Sequence, residues 1–194
     1  MEEIKIGGKA ETGYMGGSKW TGINSHGYMR YSEINKIVKK AFRQRYPETK
    51  VSCTGSSFSG GQECCGTIFL KVDEALVPYE EFAKSGYYPN SQTWYYIDGE
   101  VIWGESPKLT LEMKMKSAYE SFKKSLSSYS GVRMSISTVS DSFERKILKP
   151  EAIEKIEYLN ALYDSFNSYD VNGMVDYFEV DFYKDVSLKL ITED

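Results

Sequence analysis

The sequence contains a single histidine, His26, and therefore lacks the residues of a His-rich metal centre. A Ser-His-Asp triad would depend on this one residue, which lies in a glycine-rich segment. Cysteines are also few: Cys53, Cys64 and Cys65 have a C-x10-C-C spacing that fits neither a zinc site nor a disulfide framework. We predict no metal, no cofactor and buried, reduced thiols, with a Cys-His nucleophile at His26 as the alternative.

Long apolar runs are absent as well. No run approaches the roughly eighteen apolar residues of a membrane-spanning helix, and residues 1–29 do not form a basic and apolar leader. The sequence therefore predicts a cytoplasmic protein without a membrane partner. Of the 194 residues, 41% are hydrophobic and 27% are charged, which excludes wholesale disorder. The 16 tyrosines favour either a protein interface or an aromatic core.

The clearest local pattern lies between Tyr31 and Asp73. Apolar residues at helical spacing predict an amphipathic helix that has Ser32 as its N-cap and ends before Pro47. Alternating and β-branched residues predict strands over 50–54 and 67–72, joined by a Ser/Gly-rich loop over 55–61. The apolar positions of the helix are Ile34, Ile37, Val38, Ala41 and Phe42.

Further periodic segments follow. Asp98-Gly99 is typical of a two-residue hairpin turn, and Pro107 and Pro150 are typical of first helical positions. The elements predicted from these patterns are a short helix over 78–84, a hairpin of strands 93–97 and 100–103, a helix from 106 to about 129–131, a strand over 132–139, a helix from 149 to 166, and strands over 178–190 with a turn or bulge at 183–185.

These elements predict an α+β fold in which an antiparallel sheet is packed by about three amphipathic helices. Residues 1–29 contain seven glycines and predict a loop or irregular hairpin that is flexible or ordered by a partner, after an edge strand over 1–6. We predict one domain over 30–194, with a subdivision near 104–106 as the alternative.

Positive charge is concentrated on the first predicted helix. Between Arg30 and Lys50 there are seven basic and two acidic residues, whereas the whole chain has a net charge of −4. A basic stripe of this kind is typical of a solvated helix face, and it is also what nucleic-acid phosphates attract. The candidate nucleic-acid-binding residues are Lys36, Lys39, Lys40, Arg43 and Arg45.

Negative charge is concentrated at the other end, where residues 170–194 contain seven acidic residues and two lysines. This stretch could neutralise the basic helix, supply an acid-base or hard-cation pair, or present carboxylates to a protein partner. The Ser/Gly-rich loop is typical of a glycine-rich hairpin loop, but with its little bulk it could also hold an anion or approach a partner's backbone closely. The candidate partner-binding residues are Ser57, Ser59, Gly60, Gly61, Asp170, Asp176, Tyr177, Glu179 and Asp181.

Several of these segments resemble a known family, the large polyvalent protein-associated domain of the twenty-nine type. The first half of the resemblance comprises Ala41-Phe42, Tyr46-Pro47, Lys50-Val51-Ser52 and the loop Ser57-Phe58-Ser59-Gly60-Gly61. The second half, similar to the final strand of that family, comprises Tyr169-Asp170, Asp176-Tyr177-Phe178-Glu179-Val180 and Phe182-Tyr183. The resemblance covers less than a third of the chain, and the tryptophan-containing hairpin and the second helix depart from the family pattern.

The resemblance implies an α+β domain carried by phages and other mobile elements, without a catalytic motif. Small proteins of such elements often bind host defence enzymes. We therefore expect a non-enzymatic protein that acts in the cytoplasm of a bacterial host. Its expected function is to bind and inhibit a nucleic-acid-targeting enzyme such as a CRISPR nuclease, as an anti-CRISPR protein does. The alternative is a nucleic-acid-binding accessory protein that uses the basic helix.

Overall fold

A computed structural model describes residues 4–87, 94–97, 99–104, 106, 109–128, 131–134, 142–172 and 177–191. The chain has an α+β fold, as predicted, and divides into two compact units. Unit 1 comprises Met1–Phe69 and Glu154–Leu188, and unit 2 comprises Leu70–Ile153 and Lys189–Asp194. The domain prediction, with residues 1–29 apart from a domain over 30–194, stays a prediction.

One sheet of unit 1 is built from four antiparallel strands in the order β1-β2-β8-β9. Trp20 lies in β2, and its indole Nε1 donates a hydrogen bond of 2.9 Å to the backbone oxygen of Asp164. This bond ties the glycine-rich N-terminal hairpin to the end of the last helix. The strands are β1 (Gly8–Thr12), β2 (Ser18–Gly22), β8 (Ser168–Asn172) and β9 (Tyr177–Val180).

The second sheet of unit 1 places β3 (Lys50–Phe58), β4 (Gly61–Leu70) and β10 (Tyr183–Leu190) side by side in that order. Helix α1 (Tyr31–Arg45) packs against β3 with its apolar stripe, since Ile34, Val38 and Phe42 are buried.

Helix α6 (Pro150–Phe166) also packs on this sheet. A Cβ built on Gly66 of β4 would lie 2.8 Å from the Leu159 side chain and 2.9 Å from the Tyr163 ring. Only glycine therefore allows the helix to approach β4 so closely. The Tyr163 hydroxyl donates to Asn35 Oδ1 at 2.8 Å, and Asn35 Nδ2 donates to the Thr54 backbone oxygen at 2.6 Å. The buried Tyr163 hydroxyl and the Asn35 amide thus have partners.

Unit 2 is built around an aromatic cluster. Phe82 is fully buried and its ring lies 5.6 Å from that of Tyr119 and 5.9 Å from that of Phe143. Such tilted and edge-on ring pairs are favourable in a core. Its elements are α2 (Val72–Ala75), α3 (Tyr79–Phe82), the hairpin β5 (Trp94–Ile97) and β6 (Glu100–Trp103), α4 (Leu111–Leu126), β7 (Val132–Arg133) and α5 (Phe143–Ile147).

Several predicted boundaries were wrong for local reasons. Helix α1 begins one residue before Ser32, with Arg30 in the N-cap position and no side-chain cap. Helix α4 begins only at Leu111, because Thr110 provides the cap and its side chain accepts a hydrogen bond from Met113 N. Of the strand predicted over 132–139, residues 135–139 lie outside the described residues.

Other strand boundaries differ because cross-strand pairing extends further than the sequence pattern. The loop predicted over 55–61 is mostly strand, since the ladder from Lys50↔Phe69 continues to Phe58↔Gly61. The break predicted at 183–185 lies instead at 181–182, where the buried Asn167 amide donates to the Phe182 oxygen at 3.1 Å. Among the glycine-rich residues, 8–12 and 18–22 form a regular hairpin rather than a loop.

Candidate functional site

The turn between β3 and β4 exposes a pair of aromatic rings. Ser59 and Gly60 form the turn, and Gly60 has a φ of +102°, which favours glycine. The rings of Phe58 and Tyr183 lie with centroids 5.9 Å apart, and each residue is 49% exposed. We call Ser57, Phe58, Ser59, Gly60, Gly61 and Tyr183 the hairpin-tip surface.

The two rings lie over Gly61 of β4. A Cβ built on Gly61 would be 3.4 Å from a ring carbon of Phe58 and 3.4 Å from a ring carbon of Tyr183, which is ordinary van der Waals contact. The predicted partner-binding loop is therefore covered at Gly61 by an aromatic pair.

Gln62 fixes the base of the hairpin tip. Its side chain is only 2% exposed, and Nε2 donates to the Met29 backbone oxygen at 2.6 Å and to the Asp181 backbone oxygen at 3.3 Å. Its Oε1 accepts a hydrogen bond of 2.8 Å from Tyr31 N. One buried amide therefore joins the hairpin to the start of α1 and to the segment before β10.

The predicted partner-binding residues lie at the hairpin tip and along the sheet formed by β1, β2, β8 and β9, and Asp181 connects the two. Its backbone oxygen accepts a hydrogen bond from Gln62, and its backbone N donates to the Ser168 oxygen of β8 at 2.8 Å. The Asp181 carboxylate accepts a hydrogen bond of 3.1 Å from Ser25 Oγ. Asp170 lies on the other sheet of unit 1, where its Oδ1 accepts a hydrogen bond of 2.8 Å from Tyr14 N.

Further members of the predicted set lie on the sheet that holds Asp170. The cross-strand neighbours of Asp170 are Lys19 on one side and Glu179 on the other. Tyr177 and Glu179 lie in β9, and Asp176 lies outside the described residues. No group of three or more potential metal ligands occurs in the part of the chain that the structure describes.

The five cations predicted on the basic helix do not share one environment. Arg45 forms an ion pair with Glu154, since its guanidinium lies 2.8 Å from that carboxylate, and it lies 4.5 Å from the centroid of the Tyr158 ring. The hydrogen bond to Glu154 raises the pKa of Arg45, and burial raises the pKa of the neighbouring Tyr46 to about 12.

The other four cations have a different environment. Lys36, Lys40 and Arg43 are exposed and Lys39 is half-buried. Among the described residues, none of the four makes an ion pair. The described acidic residues of 170–191 therefore do not neutralise this face through ion pairs. We call these four residues the basic face.

Two of the three cysteines have thiols whose pKa is raised by burial. Cys64 is fully buried, and burial raises the pKa of its thiol to about 12. Burial also raises the pKa of Cys53, although the nearby charges of Lys39 and Arg43 oppose this effect. Both thiols are therefore protonated at neutral pH. His26 is exposed in the loop between β2 and α1.

The two aromatic residues of the hairpin-tip surface were missed by sequence reasoning. Phe58 belongs to the Ser/Gly-rich loop, and Tyr183 belongs to the segment that predicted a bulge. Their exposure depends on which strand lies beside β4, a long-range property that local periodicity does not contain. A local signal for this surface was present in the sequence, namely an aromatic residue, Phe58, within a run of serines and glycines.

Comparisons with known proteins do not assign this fold or this surface. No protein-family model, no curated protein and no solved structure matches the chain. The resemblance to the large polyvalent protein-associated domain stays a prediction. No helix among the described residues has the length and apolar character needed to cross a membrane.

Proposed function

We propose that the protein is a non-enzymatic binding protein whose hairpin-tip surface docks on a host enzyme that acts on nucleic acid, such as a CRISPR nuclease, and inhibits it. The observation that carries the proposal is the half-exposed pair of Phe58 and Tyr183 rings at a fixed hairpin tip. Aromatic residues supply much of the affinity in protein interfaces because they bury a large area at a small entropic cost.

The surroundings of the two rings support this role. Gln62 and the β3–β4 ladder hold the tip before a partner binds, which lowers the conformational entropy lost on association. Serine and glycine beside the rings add hydrogen-bonding groups without bulk. A surface of this composition binds a preformed pocket rather than ordering itself around a partner.

Charge supports the choice of partner. Asp181 lies beside the tip and the whole chain has a net charge of −4. Enzymes that hold nucleic acid have positively charged channels, because they neutralise phosphates. An acidic protein is attracted to such a channel and competes with the nucleic acid for it.

The direct experiment is a titration of the purified protein into candidate nuclease effectors, each carrying its guide where it uses one. We expect a complex by size-exclusion chromatography and a loss of cleavage at stoichiometric inhibitor. Neither complex nor inhibition with any effector would overturn the proposal. Pull-down from host extract identifies the effectors to try.

A second candidate function is direct binding of nucleic acid by the basic face. It is favoured by the observation that Lys36, Lys39, Lys40 and Arg43 make no ion pairs among the described residues. Duplex DNA binding should then weaken steeply with salt, and replacing Lys36, Lys40 and Arg43 with Glu should abolish it. Lys9→Glu, at an exposed lysine of β1, is the control. Absent or salt-insensitive binding would remove this candidate.

A further inference from the structure

Unit 2 contains an open pocket of about 660 Å³. Its inner wall is apolar and buried, formed by Leu76, Val77, Tyr119 and Leu190, while Lys71 and Lys149 contribute to its lining. The volume lies within the range of small-molecule sites, roughly 300–1,000 Å³. An apolar wall combined with amino groups is a feature that the hairpin tip and the basic face do not have.

Backbone hydrogen bonds hold the wall in place. Val77 N donates to the Ile147 oxygen at 3.0 Å, Lys149 N donates to the Ala75 oxygen at 2.9 Å, and Ile191 N donates to the Leu70 oxygen at 2.8 Å. The Tyr119 hydroxyl donates to the Val77 oxygen at 2.7 Å, so its ring is fixed against the wall. The pocket is therefore present before any ligand binds.

The charges of the lining favour an anion. Among the described residues of the lining, Lys71 and Lys149 are basic and Asp73 is acidic. The Lys149 ammonium donates to the backbone oxygen of Asp73, which positions the amino group and leaves two of its three N–H bonds for other acceptors. A carboxylate can accept such bonds strongly, because both partners are charged.

We propose that this pocket binds a small amphipathic carboxylate of the medium-chain fatty acid class. The hydrocarbon chain lies against Leu76, Val77, Leu190 and the Tyr119 ring, and the carboxylate meets Lys149. Burial of the chain supplies the affinity, and the charge of Lys149 selects the sign of the head group. This site is independent of the proposed inhibition, since the described residues that line it all belong to unit 2.

The test compares two probes that share a ten-carbon chain, decanoate and decyltrimethylammonium, each below its micelle concentration. Titration of the full-length protein is followed by methyl NMR. We expect shifts at Val72, Leu76 and Ile191, and a Kd for decanoate at least about tenfold below that of the cation, which corresponds to about 1.4 kcal/mol. Equal binding of both probes, no binding of decanoate, or shifts confined to other regions would overturn the proposal.

Three variants locate the site. Lys149→Gln retains a donor for the Asp73 oxygen and should weaken decanoate binding at least about fivefold, because a charge-assisted bond is replaced by a neutral one. Val72→Trp, at an exposed wall position, should block the pocket. Lys124→Gln, at an exposed position of α4 outside the pocket, should leave the Kd unchanged. Near-UV circular dichroism confirms that each variant is folded. Unchanged binding in both pocket variants would contradict the assignment.

Discussion

The rings of Phe58 and Tyr183 lie 5.9 Å apart with an interplanar angle of 33°. Phe58 ends β3 and Tyr183 begins β10. The two rings meet only because β4 lies between these two strands in the sheet. The pair is therefore a product of tertiary structure, and its energy can be measured without knowledge of any partner.

The ring contact should appear as a coupling in stability. A double-mutant cycle with Phe58→Ala and Tyr183→Ala should give an interaction free energy of about 0.5–1 kcal/mol, near the lower end for aromatic pairs because both rings are half-exposed. Urea unfolding measures it. Strictly additive single variants would mean that the rings are not in contact in solution.

The turn should depend on Gly60. Its φ of +102° is a conformation that residues with a Cβ rarely adopt. Gly60→Ala should lower the free energy of unfolding by about 1–2 kcal/mol, whereas Ser59→Ala at the neighbouring turn position should change it by less than about 0.5 kcal/mol. Equal effects of the two substitutions would contradict the described turn.

The buried bond between Tyr163 and Asn35 should contribute measurably to stability. Tyr163→Phe removes the hydroxyl that donates to Asn35 Oδ1 at 2.8 Å and leaves that oxygen buried. We expect a loss of about 1–3 kcal/mol. Tyr28→Phe, at a tyrosine that is 75% exposed, is the control and should be neutral in the same urea experiment. A neutral Tyr163→Phe variant would show that the two groups do not interact.

The thiol of Cys64 should be inert in the folded protein. Burial raises its pKa from 9.0 to about 12, so in a Cys53→Ser/Cys65→Ser variant a disulfide reagent at pH 8 should react at least about 100-fold more slowly than after unfolding in urea. Because the pKa of the Cys64 thiol is higher in the folded state than in the unfolded state, this thiol does not change the free energy of unfolding below pH 9. Its titration lowers the free energy of unfolding as the pH rises from about 9 towards 12. Rapid reaction of the folded protein would contradict the burial of this residue.

Much of the fold could be predicted from the sequence because its signals are local. The apolar stripe of α1, the hairpin at Gly99 and the alternation of β10 each follow from residues near in the chain. Pro47 was a correct sign that α1 had ended, since the helix stops at Arg45. The α+β class follows from these elements together.

The candidate site could be predicted only in part, because it is built from long-range pairing. The Ser/Gly residues were identified, yet the sequence does not show that β10 places Tyr183 over Gly61. The acidic residues formed one group in the sequence, but Asp170 and Asp181 have different hydrogen-bond partners on different segments. The acidic stretch over 170–194 could have neutralised the basic helix, but Arg45 pairs with Glu154 instead.

The central claim is that Phe58 and Tyr183 anchor a protein partner, and the affinity of the Phe58→Ala/Tyr183→Ala variant for the inhibited enzyme tests it most directly. The control is Tyr14→Ala, which removes an aromatic residue that is 51% exposed and lies between β1 and β2, outside the hairpin-tip surface. By isothermal titration calorimetry we predict at least about a 100-fold loss of affinity for the double variant, from two anchors, and none for the control. Full affinity of the double variant would contradict the account.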